Sequence, residues 1–284
     1  MVYIVYTILC LIWGSTWLAI KIGLDDAPPL WSAGLRFLIA SIMLLLYNAL
    51  RGIKYPREIT TLMFIAFPGL FMYSLSYMLV YISEVYLDSA LTAVLFASFP
   101  FFVAGFSILM FQEEKLSKIG WIGLAIGFLG IVVVFYDSLM QSEFIFLGAV
   151  LAVIGSAASG FGTVYVSSRL KSYDISMQTA VQMSLGTVVI LLAALIFEPL
   201  MSFRITPASI LSLLYLALFG SVVAFTGYYW LLKKIRTIVV AQIAFITPVL
   251  AVVLGNLVRN EVFSSFTAFG SVLILIGVFL VLRK

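Results

Sequence analysis

Apolar residues in this chain come in long blocks, and polar residues gather in short clusters between them. The blocks cover residues 3–23, 32–50, 60–82, 88–111, 118–136, 144–166, 175–197, 208–232, 238–258 and 264–282. A helix needs about 20 apolar residues to cross a bilayer, and this pattern supplies ten such crossings with short loops between them. It predicts an all-α polytopic membrane protein of ten transmembrane helices, with no room for a soluble domain. The first block lacks a basic flank and a small-residue cleavage site and is too long for a signal-peptide core, so it is expected to stay as the first helix.

Composition sharpens this. Of 284 residues, 64% are hydrophobic and 10% charged, too little charge to cover a soluble protein of this length. Twelve of the 16 Lys and Arg residues fall on one set of loops and the C-terminus, namely Arg51, Lys54, Arg57, Lys115, Lys118, Arg169, Lys171, Lys233, Lys234, Arg236, Arg283 and Lys284. The opposite loops carry Arg204 and Arg259. The positive-inside rule then puts both termini in the cytoplasm of a cell-membrane protein. The net charge of +4 reflects that topology and gives no reason to expect nucleic acid. Cys10 is the one cysteine and there is no histidine, so no intramolecular disulfide or thiolate cluster is possible. Proton coupling would have to use carboxylates rather than an imidazole. No metal or cofactor is expected.

One pattern occurs twice. Pro100 precedes Glu113 and Pro248 precedes Glu261, both by thirteen residues. Aligning the prolines pairs Tyr81 with Tyr229, Phe71 with Phe219 and Ser117 with Ser265. A one-residue shift pairs Gly123 and Gly130 with Gly270 and Gly277. The chain divides into repeats 1–137 and 138–284, joined by Asp137–Glu143. Five crossings per half force the second copy to lie upside down, and inverted repeats of this kind place a solute site near the midplane between the halves.

Several residues are candidates for that site. Lys21 and Arg36 are the basic residues within apolar blocks. Either they hold a substrate anion, or Lys21 snorkels outward and Arg36 pairs with Asp25, Asp26 or Asp88. Pro100 and Pro248 are candidate hinges, each expected to free the carbonyl four residues earlier, at Phe96 and Ala244. Aromatic and hydroxyl groups concentrate on particular blocks: Trp13, Ser15 and Thr16; Tyr73, Ser76 and Tyr77; Ser98; Ser156 and Ser159; Gln242 and Thr247. Of these, Trp13, Ser15, Arg36, Tyr73, Ser76, Tyr77, Ser98, Ser156 and Gln242 are the candidate substrate contacts. Helix-to-helix hydrogen bonds are the competing explanation for the mid-span polar groups. An interfacial aromatic belt is the default account of Tyr228, Tyr229 and Trp230. No Asp or Glu is expected deep in a span, with Glu84 and Asp88 at the boundary. Glu113 and Glu261 are expected to cap helix ends or brace a gate. Gly123 and Gly127 favour close helix packing, within the chain or in a dimer.

The run Leu11-Ile12-Trp13-Gly14-Ser15-Thr16-Trp17 with Lys21, the Arg36-Phe37 pair after Pro28-Pro29, and the Pro and Glu of the fourth and ninth blocks resemble the drug/metabolite transporter superfamily, specifically its ten-helix EamA-type permeases. The resemblance covers the whole chain. It departs from the family pattern in the second half, where Ile154 stands in place of the opening Trp and no Lys follows until Lys171. It implies export or exchange of small organic metabolites such as amino acids, by alternating access, with the bilayer and a small solute as partners. Proton-coupled drug efflux is the alternative. A membrane enzyme acting on lipid-linked substrate is disfavoured by the lack of His and of paired deep carboxylates, and no P-loop is present. Substrate identity, direction, coupling ion and oligomeric state stay open.

Overall fold

The computed structural model describes residues 1–111, 117–199, 203–262 and 264–281. Among them every regular element is helical. The ten helices are α1 (Val2–Leu24), α2 (Pro29–Leu50), α3 (Ile59–Tyr86), α4 (Ser89–Met110), α5 (Lys118–Gln141), α6 (Glu143–Arg169), α7 (Ile175–Phe197), α8 (Pro207–Lys234), α9 (Thr237–Arg259) and the shorter α10 (Ser265–Val281). The first nine are long and apolar enough to cross a membrane. Local chemistry fixes their starts. Ser117, Ser142 and Asp174 accept from the backbone N–H three residues on, Thr206 and Ser209 form a reciprocal capping box, and Pro29 and Pro207 occupy first positions. At the other end of α9, Asn260 adopts a left-handed conformation (φ 55°) and stops the helix.

Two boundaries differ from expectation. The linker Asp137–Glu143 shrinks to Ser142, because α5 continues to Gln141. Asp137 keeps its place in the helix because its carboxylate accepts from Gln141, Ser264 and Thr267. Helix α3 runs on to Tyr86, which brings Glu84 inside a span. Glu113 lies outside the described residues.

Four helices are irregular, and they match across the halves. Helix α3 contains a π-helical stretch at Leu70–Leu75 and α8 one at Leu216–Val223. Helix α4 breaks at Ser98, where Ser98 N–H donates to Leu95 O and Phe101 N–H to Ser98 O (3.1 and 2.9 Å). Helix α9 breaks the same way at Gln242, with Gln242 N–H to Val239 O and Phe245 N–H to Gln242 O (3.2 and 2.9 Å). The prolines sit differently around these breaks. Pro100 is the second residue of the segment after its break, where a missing N–H costs nothing, and Pro248 lies inside Ile243–Arg259.

Helices α5 and α10 pack together along their glycines and away from the centre. A Cβ on Gly123 would stand 2.7 Å from Gly277 O, one on Gly130 2.6 Å from Gly270 O, and one on Gly277 2.5 Å from Gly127 Cα. Contacts that rise along one helix and fall along the other mean the two run antiparallel. Helices α2 and α7 are antiparallel as well. Glu198, ending α7, binds the N–H groups of Leu30 and Trp31, while Ser176, near the start of α7, donates to Asn48 near the end of α2.

Backbone contact this close leaves no room to adjust. Gly277→Val or Gly130→Val is expected to lower the thermal transition and the yield of monodisperse protein sharply, by well over the 1–3 kcal/mol typical of overpacking. Gly105→Ala, which has nothing within 4 Å of the added carbon, should match the parent. Fluorescence-detected size exclusion after a heating series reads the difference.

Candidate functional site

A cavity of about 80 Å³ lies between the halves. A water needs roughly 10–15 Å³ of such space, so the cavity holds several waters or a small solute. Helices α1, α3 and α4 build one side of it with Trp13, Thr16, Trp17, Met72, Ser76, Tyr77, Val80, Phe96 and Phe99. Helices α6, α8 and α9 build the other with Ser159, Thr163, Phe225, Tyr228, Ala241, Ala244 and Thr247. Both helix breaks and the neighbourhoods of both π stretches therefore border it. The wall is chiefly apolar, aromatic and aliphatic in equal parts, dotted with hydroxyls, and carries no charged side chain among the described residues. Such a lining can bury an apolar or aromatic body and orient one or two polar groups.

The nearest charge stands one layer behind. Arg36 is 1% exposed and reaches into the π stretch of α8. Its Nε donates to Ser221 Oγ (2.9 Å), one terminal nitrogen to Gly220 O (3.0 Å) and the other to the Tyr81 hydroxyl (3.3 Å). Its guanidinium carbon lies 4.8 Å from the centre of the Tyr77 ring and 5.1 Å from that of Phe37. Trp13 Nε1 donates to the same Gly220 carbonyl at 3.3 Å. A π-helical turn leaves carbonyls poorly served by its own backbone, and Arg36 and Trp13 supply the missing donors. Tyr77, with one face on the cavity wall, links that cation to the solute space.

The candidates separate clearly. Trp13, Ser76 and Tyr77 line the cavity, Ser76 with no hydrogen-bond partner for its hydroxyl. Arg36 and Tyr73 form the layer behind, where the Tyr73 hydroxyl donates to Tyr229 (3.2 Å) and Tyr229 in turn to Gln182. Four do not meet the cavity. Ser15 turns toward α8 and shares a 2.6 Å hydrogen bond with Tyr215. Ser98 and Ser156 bond each other at 2.7 Å, tying α4 to α6 at the break. Gln242 faces a separate lateral cavity with Tyr6, Val239 and Phe245. Neither Pro100 nor Pro248 is part of the wall, although Phe99 and Thr247 beside them are. Thr163 and Phe225 are wall residues that the sequence pattern did not flag. Tyr228 and Tyr229 are 2% and 1% exposed, so they belong to the core and not to an interfacial belt.

Acidic residues gather at the helix ends opposite the basic loops. Asp25 and Asp26 pair with Arg259 (2.6 Å) and Arg204 (3.1 Å) and leave Arg36 without a carboxylate partner, contrary to the pairing considered from sequence. Lys21 donates to the carbonyls of Glu84 and Leu87 (2.6 and 2.7 Å), closing the end of α3. Glu261 is buried and caps the start of α4 through Ser89 N–H, Ala90 N–H and the Ser89 hydroxyl. Glu198 does the same for α2 while half-buried, and loss of water raises its pKa above the ordinary glutamate range against the pull of its two N–H donors. At the acidic end these contacts link α1 to α3, α8 and α9, α4 to α9, and α2 to α7.

Comparison with known proteins agrees with this architecture. The chain is 35% identical over 257 residues to an uncharacterized inner membrane transporter of Escherichia coli K12, YedA, covering 90% of this chain and 82% of that one. It is 28% identical to the uncharacterized transporter YoaV of Bacillus subtilis, over 95% of this chain and 92% of the relative. It is 27% identical to the protein PagO of Salmonella typhimurium, over 98% and 92%. A solved crystal structure superposes with a TM-score of 0.73 over 99% of this chain and 96% of its own, at 18% identity, which shows a shared fold. The sequence matches the EamA-like transporter family twice, over residues 1–136 and 146–283. This chain belongs to the EamA-like transporter family.

Proposed function

We propose that this transporter moves small organic metabolites such as amino acids across the inner membrane by alternating access, the two halves 1–137 and 138–284 acting as inverted repeats. The observation that carries this reading is the composition of the cavity wall: three helices from each half, in corresponding positions. Antiparallel packing of α5 on α10 supports the inversion, because the contact Gly123–Gly277 and its repeat-equivalent Gly270–Gly130 are both present. Such reciprocity is the mark of a two-fold relation. Rocking one half on the other opens the same chamber to each side in turn.

The solute class follows from the wall. A zwitterion or carboxylate with a small apolar or aromatic body fits the aromatic and aliphatic wall, the hydroxyls of Ser76 and Ser159, and the positive field of Arg36 behind Tyr77. A cationic drug would want an acidic group in the wall, and the described lining has none. Both termini and the basic loops face the cytoplasm, and the acidic end faces outward. Pro248 and the two helix breaks act as the flexible joints.

Purified protein in liposomes tests the solute. Counterflow of labelled amino acids, organic anions and cationic drugs, with and without a pH gradient, is expected to be saturable and selective for amino acids. Accumulation of cationic drugs alone would replace this reading with drug efflux, and unsaturable flux would make the protein a channel.

Arg36→Lys keeps the charge but loses the planar donors. It should cut transport about tenfold or more, roughly what one hydrogen bond to a charged group contributes. Expression and thermal stability serve as controls, and wild-type rates in Arg36→Lys and Arg36→Ala would remove Arg36 from the mechanism.

Orientation is read by an impermeant maleimide on a Cys10→Ser background. Val262→Cys should label in intact cells, and Glu113→Cys only after permeabilisation. Labelling of both from one side would overturn the inverted topology.

A further inference from the structure

Glu84 is 0% exposed, and neither of its carboxyl oxygens has a hydrogen-bond partner among the described residues. A buried polar group without a partner calls for a reason, and a carboxyl lacking two partners calls for a strong one. The lysine beside it does not supply them. The Lys21 ammonium donates to the backbone carbonyls of Glu84 and Leu87 and leaves the side chain alone. An ionised carboxylate closed off from solvent and without a protein donor is costly in such a place, so the form held here is the neutral acid.

Its position between two solvents is the second observation. Ser76, Val80 and Glu84 follow at four-residue intervals on one face of α3. Ser76 and Val80 line the cavity, so Glu84 sits one turn beyond its acidic-end limit. In the other direction Asp88 lies exposed at the acidic end, four residues along. Two other buried groups without partners border the same stretch of cavity, Ser76 Oγ and Trp17 Nε1. Polar groups left open thus run from the chamber toward the carboxyl. The charges that act on Glu84 come from every side. Lys21 is on α1, Arg36 on α2, Arg259 ends α9 and Glu261 follows it. Helix α6 presents Gly148 and Gly155 to this part of α3.

We propose that Glu84 is the proton site of this transporter: it takes one proton from the solution at the acidic end when that end opens, and gives it to the chamber when the opposite end opens. In the conformation seen, the acidic end is bound shut and the proton is held. Opening that end admits water, which lets the carboxyl exchange with the solution there, and moves the Lys21 charge away, which favours uptake of the proton. A proton lost to the chamber from one side and regained from the other ties solute movement to the pH gradient. This overturns the expectation that the spans lack a usable acid. It rests on the alternating-access reading above.

The test needs no knowledge of the solute in its first part. Infrared difference spectra of the purified full chain, recorded over a pH titration, are expected to show a carboxylic-acid carbonyl band that titrates. The band should be absent from Glu84→Gln and displaced in Glu84→Asp, which also serves if Glu84→Gln fails to fold. Identical spectra in the parent and in a folded variant overturn the proposal. In the second part, liposomes enclosing a pH-sensitive dye receive an equimolar mixture of the amino acids. The parent should move protons with the solute. Glu84→Gln should show no proton flux and a counterflow rate that no longer varies with pH. Proton flux in that variant equal to the parent's overturns the proposal. If the parent shows no amino-acid counterflow at all, the solute assignment falls and the infrared titration alone decides Glu84.

Discussion

Inside a bilayer no water is available to satisfy a backbone N–H or C=O, so every departure from regular helix has to be met by another part of the protein. Among the described residues this chain departs in four places: the π stretches of α3 and α8 and the breaks at Ser98 and Gln242. The two π stretches and the break at Ser98 are served by side chains, the last by the Ser98 hydroxyl on the Leu95 carbonyl. Ser221 reaches back to the Leu216 carbonyl and Ser74 to Gly69, while Arg36 and Trp13 serve Gly220 from outside the helix. The repairs bring side chains to the places where helices are irregular, and all four irregular helices wall the same chamber. The polar groups around the solute space are thus a consequence of backbone chemistry before they are a binding site.

That arrangement divides the molecule by stiffness. The α5–α10 pair, with glycine backbones in contact, is a rigid seam in which even one added carbon collides. The α1, α3, α4, α6, α8 and α9 walls contain the broken and underwound turns, where hydrogen bonds are already rearranged and further rearrangement costs less. A carrier needs both. In the proposed cycle the seam keeps the halves registered while the walls around the chamber change shape. At the acidic end, Arg259–Asp25, Arg204–Asp26 and the two glutamate caps form discrete bonds that can be broken and remade as a set, which suits a gate better than a continuously packed apolar seal would.

Much of this was legible in the residue pattern. Block lengths placed all ten helices within a few residues, and the chamber contacts Trp13, Ser76 and Tyr77 stood out as polar or aromatic groups in mid-span. What escaped was rotational. A helix that is apolar all round looks alike on its lipid and protein faces, so nothing in the pattern says that Ser15 turns to Tyr215 or that Gln242 looks sideways. Tyr228 and Tyr229 were assigned to the interface because they lie near the end of α8, yet they pack inward. Glu84 was misplaced for a related reason. Polar Ser83 and Glu84 read as the end of a crossing, whereas the helix continues because a lysine from α1 supplies the donors its last carbonyls lack.

The treatment of charge ties these points together. The interior holds a fully buried cation and a fully buried acid, and the fold gives them opposite environments. Arg36 is surrounded by acceptors and aromatic faces, so it stays charged at modest cost without a carboxylate partner. Glu84 is given no hydrogen-bond donor among the described residues. Had the two been paired directly, each would have fixed the other, and separating them would require leaving two charges stranded in a medium that cannot solvate them. Held apart, they can respond independently: the arginine as a constant field behind Tyr77, the acid as a group whose state depends on which side of the bundle is wet. Among the described residues the centre holds no ion pair, which in the proposed cycle leaves the chamber free to change its access.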